Sequence, residues 1–140
     1  MKQNVPVSSI MTKNVIKLNL SDDLTKAESL FKKHHIRHIP VVNGNVIVGM
    51  LSYTDLLRIS FADAIDEDED VVDVTVYNMF SVEQVMARNL VKVGPDDTIK
   101  KVAEILASKE FHALPVVQGD LLVGIVTTTD LINYLLEQYS

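Results

Sequence analysis

Two short phrases hold the residues best suited to chemistry. Residues 49–57 read GMLSYTDLL and residues 124–132 read GIVTTTDLI. Each sets a glycine, an apolar pair, a hydroxyl residue and then a Thr-Asp pair in the same spacing, giving Ser52, Thr54 and Asp55 in one copy and Thr127, Thr129 and Asp130 in the other. A carboxylate can accept hydrogen bonds from both hydroxyls of a ribose. Hydroxyls and the free N–H groups of a helix N-terminus can hold phosphate. That chemistry suits a nucleotide and needs no catalytic group. The same residues also fit a helix cap, because Ser52-x-x-Asp55 and Thr127-x-x-Asp130 have the spacing of a capping box. The glycines allow close approach of another group to the backbone, or simply break strand packing. For one copy alone, spacing leaves both readings open.

The elements that position these phrases are themselves duplicated. Pro40 lies in IPVV and Pro115 in LPVV, an offset of 115 − 40 = 75. That offset aligns the halves without a gap: Met11 with Met86, Asp22 with Asp97, Gly44 with Gly119, Asp55 with Asp130. Such a register is a duplication, and two copies predict a paired arrangement about a pseudo-two-fold axis rather than a solenoid. Ser8 and Ser81 are expected to cap short helical turns, with Ser81-x-x-Gln84 as a capping box. NVIKL and NLVKV read as short extended runs. SDDLTKAESLFKKH opens with capping residues and places Leu24, Ala27, Leu30 and Phe31 on one helical face, and DDTIKKVAEILASK does the same with Ile99, Val102, Ile105 and Leu106. HIPVVNGNVIVGML and LPVVQGDLLVGIV read as hairpins whose second strands are apolar enough to be buried on both faces. The phrases above then open a final helix. Each repeat is therefore read as β-α-β-β-α.

Composition narrows the classes. The chain has 140 residues, no cysteine and a net charge of −6. Seven acids between Asp63 and Asp73 form one block; without them 12 acids face 13 bases. No basic footprint for nucleic acid is present. The start MKQNVPVSSIM lacks the apolar run of a signal peptide, and no stretch approaches a membrane span, so a soluble cytoplasmic protein is expected. Residues 60–79 read as an acidic, solvated linker in which Val72, Val74 and Val76 alternate as a strand would. Asp66, Asp68 and Asp70 echo a calcium loop, but its turn glycine is missing and Tyr77 stands where the bidentate Glu belongs. His34 and His38 have metal-pair spacing, yet Ile39-Pro40 begins a strand and ends the helix before His38. No metal site is expected.

Met11-Thr12 and Met86-Ala87, RHIPVV and HALPVV, and GMLSYTD and GIVTTTD carry a resemblance in their order, spacing and duplication. The chain resembles a tandem pair of CBS domains, named after cystathionine β-synthase and often called a Bateman module, over about residues 5–59 and 80–137. The resemblance implies an α/β fold of two repeats packed with pseudo-two-fold symmetry, and two clefts between them that each take an adenosine derivative: AMP, ADP, ATP or S-adenosylmethionine. Carried over residue by residue, one cleft uses Ser52, Thr54 and Asp55, with adenine near Met86, Val91 and Phe111. The other uses Thr127, Thr129 and Asp130, with adenine near Met11, Ile16 and Ile36. Phe111 either stacks on adenine or fills the core. Family members often carry a basic pair before the proline; here it is Arg37-His38 in the first repeat and His112-Ala113 in the second. The Asp55 cleft is therefore expected to hold phosphates more tightly, though Arg37 could serve either cleft.

Three functions compete. A regulatory module that senses adenine nucleotides, acting as a homodimer and passing its output to an effector protein, fits the intact Thr-Asp pairs. A structural or interaction module without nucleotide would keep the fold and not the binding. An enzyme needs a nucleophile, a base or a metal near phosphate, and the chain offers no cysteine, no P-loop lysine motif and no paired catalytic carboxylates. No catalytic residue and no cofactor are assigned.

Overall fold

Strong local signals decide where the helices begin and end. The computed structural model describes residues 4–63, 77–109 and 111–139. The strand suggested at Val72, Val74 and Val76 and the calcium-like run from Asp66 to Asp70 lie outside these residues. Helix α1 (Leu24–His34) starts where the Asp23 side chain accepts the Lys26 N–H at 2.8 Å. It buries Leu24, Ala27 and Phe31, with Leu30 packed at the edge. It stops at His35, whose left-handed backbone (φ 53°) returns its N–H to the Phe31 carbonyl. His38 begins strand β2 (His38–Asn43), so His34 and His38 share no helix. Among the described residues no group of three or more metal-ligating side chains occurs, and no helix is long and apolar enough to cross a membrane.

Strand β2 turns into β3 (Val46–Ser52) through Gly44-Asn45, with Gly44 at φ +67° as a primed hairpin turn requires. Helix α2 (Tyr53–Asp63) follows directly. The second repeat carries α3 (Val82–Val85), α4 (Ile99–Lys109), β4 (Ala113–Gln118), β5 (Leu121–Thr127) and α5 (Thr128–Glu137). Helix α4 buries Ile99, Val102 and Leu106, as its periodicity predicts. Strands β4 and β5 pair antiparallel from Ala113↔Thr127 to Gln118↔Leu121, with an irregularity at Val116/Val117.

The chain divides into two compact units that do not follow the repeat boundaries. One consists of Met1–Val15, Asn45–Ile47 and Leu90–Ser140; the other of Ile16–Gly44 and Val48–Asn89. We call them unit 1 and unit 2. In unit 2, β1 (Leu18–Asn19) pairs parallel with β2 across the α1 crossover, and β3 lies on the other side of β2. Its core joins Leu18, Leu24, Ile39, Leu51 and Leu56 with Val82 and Met86. Tyr77 is buried there too, and its hydroxyl donates to Glu28 Oε2 at 2.6 Å. In unit 1, β5 lies between β4 and the first residues of β3, paired at Val46↔Leu121. Its core joins Val102, Leu114, Val116 and Val126 with Val7. Each core thus closes with the lead-in segment of the other repeat: residues from Val5 in unit 1 and from Tyr77 in unit 2.

Several local expectations change. Ser81 caps α3 with a complete capping box to Gln84. Ser8 instead lies inside a 3-10 turn, Val7–Ser9, whose N-cap position is Pro6. The first N–H groups of that turn reach the Asp97 and Pro95 carbonyls, at 2.7 and 3.1 Å, so no side-chain cap is called for. Of NVIKL only Leu18 enters the two-residue β1, and NLVKV gives only a bridge from Val93 to Val116. The second hairpin strands are not buried throughout: Val46 and Leu121, beside the turns, are 40% and 50% exposed.

The turn before each long helix repeats at the offset of 75. Asp22 accepts the Asn19 N–H and meets Lys26 Nζ, while Asp97 accepts the Gly94 N–H at 2.7 Å and meets Lys101 Nζ at 3.1 Å. The Gly94 N–H, then Lys101, hold the Asp97 carboxyl below its ordinary 3.8, outweighing the opposing effect of burial. A carboxyl whose pKa is lower in the folded chain adds stability above the unfolded pKa, and that stability is lost as pH falls through the folded value. Asp97→Asn is therefore expected to flatten the acid limb of stability, below about pH 4. Urea unfolding midpoints from pH 7 to pH 2 check it.

Candidate functional site

Each conspicuous phrase sits where a strand ends and a helix begins. At the end of β3, Ser52 Oγ accepts the Asp55 N–H at 3.0 Å. At the end of β5, Thr127 Oγ1 accepts the Asp130 N–H at 3.1 Å, and Asp130 Oδ2 accepts the Thr127 N–H at 2.9 Å. The second junction is a complete capping box. A hydroxyl that accepts in this way keeps its own proton to donate. The first N–H of each helix is used as well: Tyr53 donates to the Arg37 carbonyl at 2.8 Å and Thr128 to the His112 carbonyl at 3.0 Å. The helix starts are thus less open as anion sites than their sequence suggests. Thr54 and Thr129 are exposed, while Ser52, Asp55, Thr127 and Asp130 are half-buried.

The two backbone bonds place the residues before each proline. Arg37 and His38 stand beside the Ser52 junction, and His112 and Ala113 beside the Thr127 junction. Arg37 and His112 are exposed, His38 half-buried and Ala113 buried.

The glycines admit methionines. A Cβ on Gly49 would overlap Met86 Sδ, and one on Gly124 would lie 2.6 Å from Met11 Sδ. Paired backbone bonds fix these approaches: Met50 with Ala87 at 3.0 and 2.8 Å, and Thr12 with Ile125 at 2.8 and 3.0 Å. Close approach is therefore real at both glycines, and the approaching group is a side chain of the lead-in segment. The structure brings Met86 into the unit of Asp55 and Met11 into the unit of Asp130. Val91 and Phe111 are partly buried and pack against the unit 1 core. Ile36 packs against the unit 2 core, and Ile16 belongs to the same unit.

Two participants were missed by sequence reasoning. Arg58 Nη1 lies 3.5 Å from Asp55 Oδ1, one helical turn along α2. The i,i+3 spacing was the available signal. Tyr53, between Ser52 and Thr54, packs its ring on Phe31 at a centroid distance of 5.3 Å, anchoring the start of α2 to α1. An aromatic pair that distant in sequence leaves no local pattern.

The profile of the CBS domain matches residues 7–62 and 82–137. This chain belongs to the CBS-domain family. The CBS domain-containing protein YhcV of Bacillus subtilis is 30% identical over 125 residues, covering 89% of this chain and 81% of that protein. Protein MJ1225 of Methanocaldococcus jannaschii, whose structure is described as that of a proposed archaeal homologue of g-AMPK, superposes with a TM-score of 0.82 at 26% identity, over 96% of this chain and 49% of that one. The CBS domain pair of protein MJ0100, in complex with 5′-methylthioadenosine and S-adenosyl-L-methionine, superposes with a TM-score of 0.78 at 25% identity, over 97% and 98%. The mixed α/β architecture is the one these CBS pairs share. The chain spans 48% and 24% of the first two curated relatives it matches.

Proposed function

We propose that this CBS pair is a cytoplasmic regulatory module, not an enzyme, that binds adenine nucleotides through Ser52, Thr54 and Asp55 in one repeat and Thr127, Thr129 and Asp130 in the other. The observation that carries this reading is the duplicated junction, in which a cap fixes a carboxylate beside two hydroxyls. Each carboxylate would take the ribose hydroxyls, and the hydroxyls would donate to phosphate or to the adjoining substituent. Arg37 and His38 would favour phosphate at the first junction, where the second has His112 and Ala113. Met86, Val91, Phe111, Met11, Ile16 and Ile36 would offer the apolar surface for adenine. The adenosine derivatives held by the MJ0100 pair support this ligand class.

Binding regulates only through a difference in affinity between two states. The C-terminal helix offers a surface for passing that difference on. Ile132, Leu135 and Leu136 on α5, with Tyr139 just past its end, are 44–80% exposed, and α5 buries no residue completely. A second copy of the chain, meeting this face with its own, is the partner we assign; effector proteins would read the dimer. Leu136→Glu is expected to convert it to monomer in sedimentation analysis.

Calorimetric titration of ligand-free protein with AMP, ADP, ATP and S-adenosylmethionine tests the central reading. Saturable heat with at least one supports it. No heat and no thermal shift with any of the four leaves the interaction-module reading in its place.

A further inference from the structure

Among the differences between the two junctions, three change basic residues of the first repeat. Arg37, His38 and Arg58 in the first repeat align with His112, Ala113 and Asn133 in the second. Their carboxylates differ accordingly. Asp130 is turned back on its own cap through the Thr127 N–H at 2.9 Å. Asp55 faces Arg58 at 3.5 Å, with the guanidinium side chain 74% exposed and the carboxylate 26%.

This pairing makes Asp55 a contested acceptor. A ribose hydroxyl that takes Asp55 Oδ1 competes with Arg58 for that oxygen. An unphosphorylated nucleoside offers the released guanidinium nothing in exchange. A nucleoside phosphate offers it an anion, for which a guanidinium has suitable forked geometry. We propose that Arg58 is a specificity-determining residue that makes the Asp55 junction select nucleoside phosphates over unphosphorylated nucleosides. The proposal rests on the reading of that junction as a nucleotide site. Asn133 imposes no such selection on Asp130, which accepts either class without a displaced cation.

The test isolates one junction at a time. In the full chain carrying Asp130→Ala, adenosine and AMP are titrated against the Arg58 protein and against Arg58→Asn and Arg58→Lys. Arg58→Asn is expected to tighten adenosine about two- to fivefold, the scale of an exposed ion pair. It is expected to weaken AMP about tenfold, the scale of one lost charge-assisted bond. Arg58→Lys is expected to retain part of the preference. Asn133→Arg in an Asp55→Ala background is expected to create a preference for AMP. Equal changes for both ligands, or none, overturn the proposal while the nucleotide reading stands. Failure of the Asp130→Ala protein to bind either ligand, with Arg58 in place, overturns both. Thermal unfolding of Arg58→Asn is expected to match the parent, because the side chain is exposed.

Discussion

Gly49→Val is expected to destabilise the fold by about 3 kcal/mol, at the upper end of the usual cost of overpacking a core. The backbone at Gly49 is not in a conformation reserved for glycine, so the penalty comes from Met86, whose Sδ and Cγ occupy the space a Cβ would need. Shortening that partner should therefore relieve it. Met86→Ala alone is expected to cost about 2–5 kcal/mol through the cavity it leaves. Combined with Gly49→Val, it should cost clearly less than the sum, because the new side chain fills the space vacated. At the equivalent pair the relief should be smaller. A Cβ on Gly124 also meets the Thr12 carbonyl at 3.1 Å, and that carbonyl is held by the Ile125 N–H. Urea denaturation of the two double-mutant cycles measures both couplings.

The second large effect concerns ligand rather than stability. Asp55→Ala is expected to remove one of two binding events and Asp130→Ala the other, with the double variant binding nothing measurable. Each carboxylate accepts two ribose hydroxyls in this reading. Hydrogen bonds to a charged group contribute about 1.5–3 kcal/mol each, so the loss per site is on the order of a hundredfold or more. The stability effects should be unequal. Asp130→Ala also removes an acceptor from the Thr127 N–H and so should cost about 1 kcal/mol of folding free energy. Among the described residues, the Asp55 side chain is bonded only to exposed Arg58, so Asp55→Ala should cost less. Stoichiometry from calorimetry and midpoints from urea unfolding separate the two effects.

The features legible in the sequence are those set by neighbours in the chain. Asp23 and Ser81 announce helix starts because a short polar side chain can reach an N–H three residues on. Gly44 and Gly119 announce hairpins because the turn demands positive φ, although the turn proper is Gly44-Asn45, one residue later than the Asn-Gly pair suggests. The repeat placed the Thr-Asp pairs at equivalent junctions. What stayed hidden depends on residues far apart. Nothing near Val7 says that its N–H bonds to Asp97, and nothing near Met86 says that it lies on Gly49. The extent of β1 is not legible either, because apolar residues such as Val15 and Ile16 look the same whether they pair or merely cover a surface. The candidate site was legible as residue types. The difference between a carboxylate turned on its own cap and one held by Arg58 was not, since Asp55 and Asp130 occupy the same pattern.

The exchange of lead-in segments bears on the ancestry of the duplication. In a polypeptide of one repeat, the methionine of the lead-in and the glycine of its own last strand would belong to different cores. Such a chain would satisfy both only by lending its segment to a second molecule and borrowing one in return. Reciprocal loan between identical chains is domain swapping, a low-cost route to a symmetric pair. Fusion of two tandem copies would then make an existing partnership permanent, and would free each copy to diverge, as Arg58 and Asn133 have done.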